Sequence, residues 1–387
     1  MHSKGARAAS LLLGLGLTAS LGAPARAAEF RINDDTTFNA GIGLRASYTR
    51  RDFGAPDGSS KSNDFSVESA RLFLGGSYNK IFKATLNTEK GADDKLHLLD
   101  GIAQFEPMPE LNVWLGRMLP PSDRANLYGP YYAVPWSFPG VVSNYPSIFA
   151  GRDSGVTVWG KPMGGKLVYA LGAFEGHNKV LGLSGQSDKM LYAGRLAYNF
   201  WDPEPAPAYY TGGWYGGSKD ILTVGLAANS QKDGVGTAAA PGKLSVWSAD
   251  LLVEKKLGAG VPTFEAAYYK YKLDAVDCGS GEPGAPACLG GGDNVGGLVD
   301  GKAYLLGGAF LFPQTVGYGQ FQPYVRLQRM KRTLSSTTGK AFDLGVNYLI
   351  RGPNARLSLQ YTKFRDDRVL PPRDDIAQIA LGMQLIF

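Results

Sequence analysis

Apolar and polar residues alternate with a period of two along most of this chain. In the segment TFNAGIGLRASYT, apolar Phe38, Ile42, Leu44 and Tyr48 are separated by small or polar residues such as Arg45. Successive side chains of a β-strand point to opposite faces, so this pattern predicts a strand with one apolar and one polar face. The same alternation recurs in IFKATLNTE, LYAGRLAYNF, FQPYVRLQ and AFDLGVNYLI. No stretch shows convincingly the i, i+3, i+4 spacing of an amphipathic helix.

Sixteen segments of this kind can be counted, and their number and length predict how the chain folds. They span roughly 8–14 residues each, which matches the 9–11 residues that a tilted strand needs to cross a bilayer. An even number of strands is the rule for single-chain bacterial barrels. The segments lie near residues 37–50, 66–78, 80–89, 97–106, 111–119, 153–160, 165–174, 188–200, 218–230, 243–256, 261–272, 300–311, 321–330, 339–350, 354–364 and 375–387.

The connections between these segments alternate between short and long. Short turns such as NK, PMPE and GPN alternate with long loops, among them 119–152, 175–187 and 273–299. Outer-membrane barrels have this rhythm because their periplasmic turns are short and their outer loops are long. The connection WDPEPAPAYYTGGWYGG (201–217) is long where a short turn is expected, and we interpret it as a proline-rich periplasmic excursion.

The last segment, IAQIALGMQLIF, places Ile379, Leu381 and Leu385 on one face and ends on Phe387. A terminal aromatic residue on an alternating strand resembles the signal read by the barrel-assembly machinery of the outer membrane. Exposed apolar edges promote aggregation in soluble proteins, whereas closure pairs every backbone group in lipid. The sequence therefore predicts an all-β fold: a 16-stranded antiparallel transmembrane β-barrel in the bacterial outer membrane.

The N-terminal residues have the pattern of an export signal. MHSKGARAAS is positively charged, LLLGLGLTASLGA is a short apolar run, and ARA fits the small-x-small motif of a signal-peptidase site. We therefore divide the chain into a secretory signal peptide, residues 1–27, and a barrel domain, residues 28–387. Cleavage removes Lys4, Arg7 and Arg26, which lowers Lys+Arg from 40 to 37 against 34 Asp+Glu, and the net charge from +6 to about +3. Neither this balance nor export indicates a nucleic-acid partner.

An irregular run begins at RMLPPSDRANLYGPYY (Arg117–Tyr132) and continues to Arg152. Pro120, Pro121 and Pro130 exclude a helix interior and a central strand. Runs of this length without regular structure are usually functional or disordered, and the many aromatic residues here argue against disorder. We predict an ordered loop, which is the third outer loop in the strand count.

Three stretches of the sequence resemble the phosphate-selective porin O and P family. They are VESARLFLGGSYNKIFKATLNTE, LDGIAQFEPMPELNVWLGRMLPPSDRANLYGPYY and YPSIFAGRDSGVTVWG, which form nearly one block from Val67 to Gly160. The resemblance implies a homotrimeric outer-membrane channel whose pore-constricting third outer loop folds into the lumen. It also implies passive diffusion of small hydrophilic solutes, anionic or neutral, with a preference for phosphate-type anions. The expected partners are outer-membrane lipid and those solutes, and no cofactor is implied.

The charges that the alternation assigns to the lumen form a mixed wall. The basic residues are Arg45, Arg71, Lys83, Arg195, Arg326 and Arg356. The acidic residues are Glu68, Glu89, Asp100, Glu106, Asp250, Glu254, Glu265 and Asp343. This balance departs from the lysine- and arginine-lined path of the resembled family.

A narrow constriction can select ions with few charges, because its low-dielectric walls focus the field. Our hypothesis is that Arg117, Arg124 and Arg152 form an anion filter at the pore constriction. In the alternative, Arg124 and Arg152 pair with adjacent or nearby carboxylates and only fix the loop.

Other chemistry is sparse in this sequence. Cys278 and Cys288 lie in one long outer loop, and in an exported protein such a pair is expected to form a disulfide. We expect no metal site. Motifs such as G-x-S-x-G and H-E-x-x-H do not occur, so an outer-membrane barrel enzyme is a remote alternative. A non-specific general porin is the nearer alternative, and a barrel with a plugged lumen is a third.

Overall fold

The computed structural model describes most of the chain after residue 27. The described ranges are 28–144, 148–149, 151–176, 189–236, 241–274, 294–295, 298–333, 336–367 and 375–387. The predicted signal peptide, 1–27, and the predicted disulfide partners Cys278 and Cys288 lie outside the described residues.

The described chain is almost entirely β-structure. The strands are β1 (Ala28–Arg31), β2 (Thr36–Arg51), β3 (Ser62–Tyr78), β4 (Phe82–Lys90), β5 (Leu96–Met108), β6 (Leu111–Met118), β7 (Asp153–Gly160), β8 (Leu167–Phe174), β9 (Leu191–Asn199), β10 (Ile221–Gly236), β11 (Pro241–Glu254), β12 (Val261–Asp274), β13 (Asn294–Val295), β14 (Leu298–Val299), β15 (Gly301–Leu311), β16 (Gln320–Arg332), β17 (Thr338–Leu349), β18 (Ala355–Asp366) and β19 (Ile376–Ile386). A five-residue helix, α1 (Arg124–Tyr128), and a 3₁₀ turn, Met163–Gly165, complete the described elements. Within the described ranges, no helix is both long and apolar enough to span a bilayer.

Sixteen of these strands, β2 to β12 and β15 to β19, form a closed antiparallel barrel. Each strand pairs with its neighbours in the chain, and β19 pairs with β2 to close the barrel. The terminal Phe387 exchanges backbone hydrogen bonds with Ile42, and β1 pairs with the start of β2. The predicted sixteen-stranded barrel is confirmed, and every predicted segment matches a strand. The largest differences are an earlier start of β3, at Ser62, and a later end of β10, at Gly236.

The two faces of the barrel wall differ in polarity, as the alternation predicts. Most outward-facing side chains are apolar and exposed; Leu115 and Leu381 are 62% and 55% exposed. Aromatic pairs such as Phe82–Phe105 and Phe321–Tyr348 lie where strands meet the short turns, with ring centroids 5.2 Å and 5.1 Å apart. An apolar outer band edged by aromatic residues is the lipid-facing surface of a transmembrane barrel. We call the end with the short turns the turn end and the opposite end the loop end.

If the outward face contacts lipid, a charge placed on it should destabilise the barrel most at the middle of a strand and least near the strand ends. Leu381 lies at the middle of β19, so Leu381→Arg should lower the free energy of unfolding by about 2–4 kcal/mol. Leu96 is equally exposed but begins β5 at the loop end, so Leu96→Arg should cost no more than about 1 kcal/mol. Urea titration of folding into lipid vesicles measures both variants. Equal losses would contradict the assignment of this face to lipid.

Candidate functional site

The long loop between β6 and β7, residues 119–152, folds into the barrel; we call it the inserted loop. Its main-chain carbonyls accept hydrogen bonds from inward-facing side chains on distant strands. Arg45 of β2 donates to Pro130 O at 2.9 Å, and Arg356 of β18 donates to Ala133 O at 2.7 Å. Contacts with these strands, remote from β6 and β7 around the barrel, require that the loop lie in the lumen.

The inner wall supplies the hydrogen-bond donors that this irregular backbone needs. A buried carbonyl without a partner is costly, and a loop segment has no strand neighbour to provide one. Gln384 donates to Tyr131 O at 3.0 Å, and Asn347 donates to Val134 O at 2.8 Å. The amide and guanidinium groups of the wall thus replace a sheet partner for the loop.

Aromatic side chains of the inserted loop pack where the inner wall has only glycine. A Cβ atom at Gly43 would lie 2.9 Å from the Tyr131 hydroxyl, and one at Gly382 would overlap the Trp136 ring. The Trp136 ring also stacks on Arg45, with the guanidinium carbon 4.0 Å from the ring centre. Because these inward-facing glycines have no side chain, they leave room for the aromatic rings of the loop.

Helix α1 carries the most enclosed ion pair of the loop. Asp123 caps the helix by accepting from Asn126 N at 3.1 Å. The fully buried guanidinium of Arg124 donates to both carboxylate oxygens of Glu204, at 2.7 and 2.9 Å, and to Asp250 at 3.0 Å. This two-pronged geometry with charged partners is the strong form of the hydrogen bond.

A second segment enters the lumen from the turn end: residues 200–220, the inserted connection between β9 and β10. Its Tyr209 hydroxyl donates to Leu119 O at 2.6 Å, and Thr211 donates to Arg124 O at 2.9 Å. The interpretation of 201–217 as a periplasmic excursion is therefore wrong. The segment folds into the barrel because its large aromatic rings are buried there; Tyr209 and Trp214 are only 1% and 6% exposed.

The two inserted segments build an apolar cluster inside one side of the barrel. Trp114 of β6 contacts Trp159 of β7 and Tyr209 of the inserted connection, with ring centroids 5.6 and 5.4 Å apart. Met118, Leu119 and other buried side chains from β5 to β9 belong to the same cluster. This side of the lumen is packed like a protein core.

The six predicted wall cations all lie on the inner face, and five are paired with a carboxylate. The pairs are Arg45–Glu68 at 3.7 Å, Arg71–Glu89 at 2.6 Å, Lys83–Glu106, Arg195–Asp250 at 2.6 Å and Arg326–Asp343 at 2.8 Å. Arg356 instead donates to the loop and to Gln384. The wall is thus balanced, as its composition indicated, and its charges largely neutralise each other in pairs.

The three predicted filter arginines occupy different places. Arg124 pairs with Glu204 and Asp250 as described, and Arg152 pairs with Asp100 at 3.2 Å. Arg117 shares the outward register of Leu115 and donates to Phe149 O at 3.1 Å. Arg124 and Arg152 thus pair with carboxylates, as in the loop-fixing alternative. Their partners are distant in the sequence and not adjacent to them.

Glu204 is the site residue that sequence reasoning missed. It lies 80 positions from Arg124, in a proline-rich segment whose fold gives no periodic signal. Phe387, the predicted assembly signal, has a 68% exposed side chain on the outer face, and its recognition stays a prediction. Within the described ranges, no cluster of three or more His, Asp or Glu side chains could hold a metal ion.

In comparisons with known proteins, no family model and no curated protein matches the sequence. Solved porin structures do match the fold. An anion-selective porin from Comamonas acidovorans aligns with a TM-score of 0.59 and 12% identity over 91% of this chain and 100% of the porin. OmpF of Salmonella typhi, in complex with daunomycin, aligns with a TM-score of 0.58 and 12% identity over 93% of this chain and 100% of OmpF.

OprB of Pseudomonas putida, in a high-pH structure, aligns with a TM-score of 0.56 and 10% identity over 90% of this chain and 94% of OprB. At these identities the similarity establishes the fold, which is that of outer-membrane porins. A closed sixteen-stranded barrel with an apolar outer band is a protein of the bacterial outer membrane.

Burial of Asp123 predicts a pH dependence of stability. Burial raises the pKa of this carboxyl from 3.8 to about 6, so the folded protein holds the proton more tightly than the unfolded chain. Stability is therefore greatest below the unfolded value and falls as pH rises from about 4 to about 6, by at most about 3 kcal/mol. Asp123→Asn keeps a good helix cap and should remove this fall.

Unfolding free energies measured from pH 3.5 to 7.5, a working range set by the shift of roughly two pH units, test this prediction. Asp34→Asn is the matched control substitution, because the Asp34 side chain is 96% exposed. An Asp123→Asn profile identical to the wild-type profile would show that Asp123 does not titrate in this range.

Proposed function

We propose that this protein is an outer-membrane channel for passive diffusion of small hydrophilic solutes, with the inserted loop as its constriction. The observation that supports this most is the ordered loop inside a sixteen-stranded barrel. Barrels of this size leave an aqueous channel unless something fills it. The inserted loop and the inserted connection cover most of the inner wall, and half-buried polar residues such as Thr85 and Asn87 line the part that they leave open.

An anion preference, with phosphate-type anions as solutes, is the finer part of the proposal. It is supported by the resemblance of the sequence to phosphate-selective porins and by the anion-selective character of one structural neighbour. Arg356, which lies beside Trp136 and donates to the inserted loop and to Gln384 instead of to a carboxylate, adds positive charge next to the loop. A homotrimer is proposed on the family resemblance.

A non-specific general porin is the second candidate, and the pairing of wall charges favours it. Paired charges of opposite sign produce a weaker field at a distance than a ring of one sign. The two candidates differ in the reversal potential under a salt gradient and in whether phosphate blocks chloride current.

Planar-bilayer recording tests the function directly. The purified protein should insert as discrete conductance steps, and phosphate should reduce the chloride current if phosphate-type anions are its solutes. Equal cation and anion permeability without phosphate block would favour the general porin. Turnover of lipid or peptide substrates without conductance would overturn the channel and favour the enzyme alternative.

Arg124→Ala separates a filter from a loop-fixing role. If Arg124 fixes the loop, its loss leaves Glu204 and Asp250 with one cation fewer, and the unfolding free energy should fall by about 3–5 kcal/mol. Ion preference should then stay at the wild-type value. A changed reversal potential with unchanged stability would support the filter hypothesis for Arg124. Lys272→Ala, which breaks an exposed ion pair on the barrel surface, is the control and should change neither.

A further inference from the structure

Inward-facing side chains at the turn end differ in exposure between two parts of the wall. On most of the circumference the polar ones are buried; Asn199, Glu254, Gln322, Asn347 and Gln384 are no more than 1% exposed. The inserted loop and the inserted connection cover this part. On β2 to β5 the corresponding residues are only half-buried, as in Thr37, Ser77, Thr85 and Gln104. Solvent therefore reaches the turn-end wall along β2 to β5.

The charged groups of the lumen show the same contrast. The guanidinium side chains of Arg45, Arg71, Arg152, Arg195 and Arg326 are 3%, 9%, 7%, 2% and 2% exposed. The Lys83 side chain is 37% exposed, and its partner Glu106 is 15% exposed. Lys83 is the second residue of β4, on the solvent-exposed part of the wall.

Exposure decides which of these charges a passing ion experiences. A buried ion pair is enclosed by protein and neutralised by its partner, so it contributes little to the field in the water. A charge on a water-filled path bounded by low-dielectric walls has its field focused along that path. Lys83 is more exposed than Glu106, so the excess charge that solvent meets at this place is positive.

We propose that the turn-end mouth of the channel lies along β2 to β5 and that Lys83, rather than the loop arginines, sets its charge preference. This inference rests on the proposed channel function and deepens it. Hydrated anions are then favoured where the path leaves the barrel beside Lys83, and Glu106 limits the size of that preference. The hydroxyl and amide groups of Thr85, Asn87 and Gln104 line the same path.

Neutral substitutions of Lys83 and of Glu106 test whether this ion pair sets the ion preference of the channel. Lys83→Gln should lower the anion-to-cation permeability ratio by roughly twofold or more, and Glu106→Gln should raise it by a similar factor. Lys363→Gln is the matched control, because Lys363 is 48% exposed and paired with Asp375 but lies on the outward face of β18. It should leave the ratio unchanged. Unchanged ratios in both Lys83→Gln and Glu106→Gln would overturn the proposal.

Thiol accessibility tests the position of the mouth separately. Thr85→Cys should react with a negatively charged methanethiosulfonate added on the turn-end side, and the single-channel conductance should fall. Thr223→Cys, at a residue of the same type that is fully buried on β10, should keep its conductance. The wild-type protein, treated with the same reagent, shows any effect of the native Cys278 and Cys288. If the reagent lowers the conductance of Thr223→Cys but not that of Thr85→Cys, the path runs along the other wall and the proposal is wrong. A wild-type protein that never conducts would refute the channel function itself.

Discussion

Hydrogen bonds from inner-wall arginines to the main-chain carbonyls of the inserted loop hold the interior of this barrel together. An irregular segment in a lumen has no strand beside it, so each enclosed carbonyl needs a side-chain donor. Arg45 and Arg356 provide donors from β2 and β18, and Arg45 also stacks on Trp136. Arginine suits this task because its planar group donates in several directions at once and stays charged.

The position of the loop determines how the rest of the lumen is divided. Near β11, Arg124 connects the loop to Glu204 of the inserted connection, so segments from opposite ends of the barrel meet in one buried ion pair. Around it, Trp114, Trp159 and Tyr209 form a packed apolar cluster. Among the described residues, the part of the inner wall that stays open to solvent is the turn end of β2 to β5. Most arginines of the lumen therefore act as structural donors, and few are left to meet a solute.

The barrel could be predicted from the sequence because lipid on one side and polar contacts on the other impose alternation on every strand. An ordered loop could also be predicted here, since its prolines and aromatic residues exclude strand and disorder alike, whereas its insertion into the lumen was implied only by the family resemblance. The inserted connection could not, because prolines mark irregular backbone without showing on which side of the wall it folds. The only hint in the sequence was its large aromatic residues, among them Tyr209 and Trp214, which are buried in the structure. Pairings such as Arg124 with Glu204 depend on the register of sixteen strands, which composition does not contain.

The conductance of an Arg45→Gln/Arg356→Gln double variant tests whether these two arginines hold the inserted loop in the lumen. Without these donors the inserted loop is no longer bonded to β2 and β18, so the single-channel conductance should rise above the wild-type value and fluctuate more. Gel mobility of the unheated protein would establish that the barrel itself remains folded. A folded double variant with wild-type conductance and noise would contradict the claim that these arginines hold the loop in the lumen.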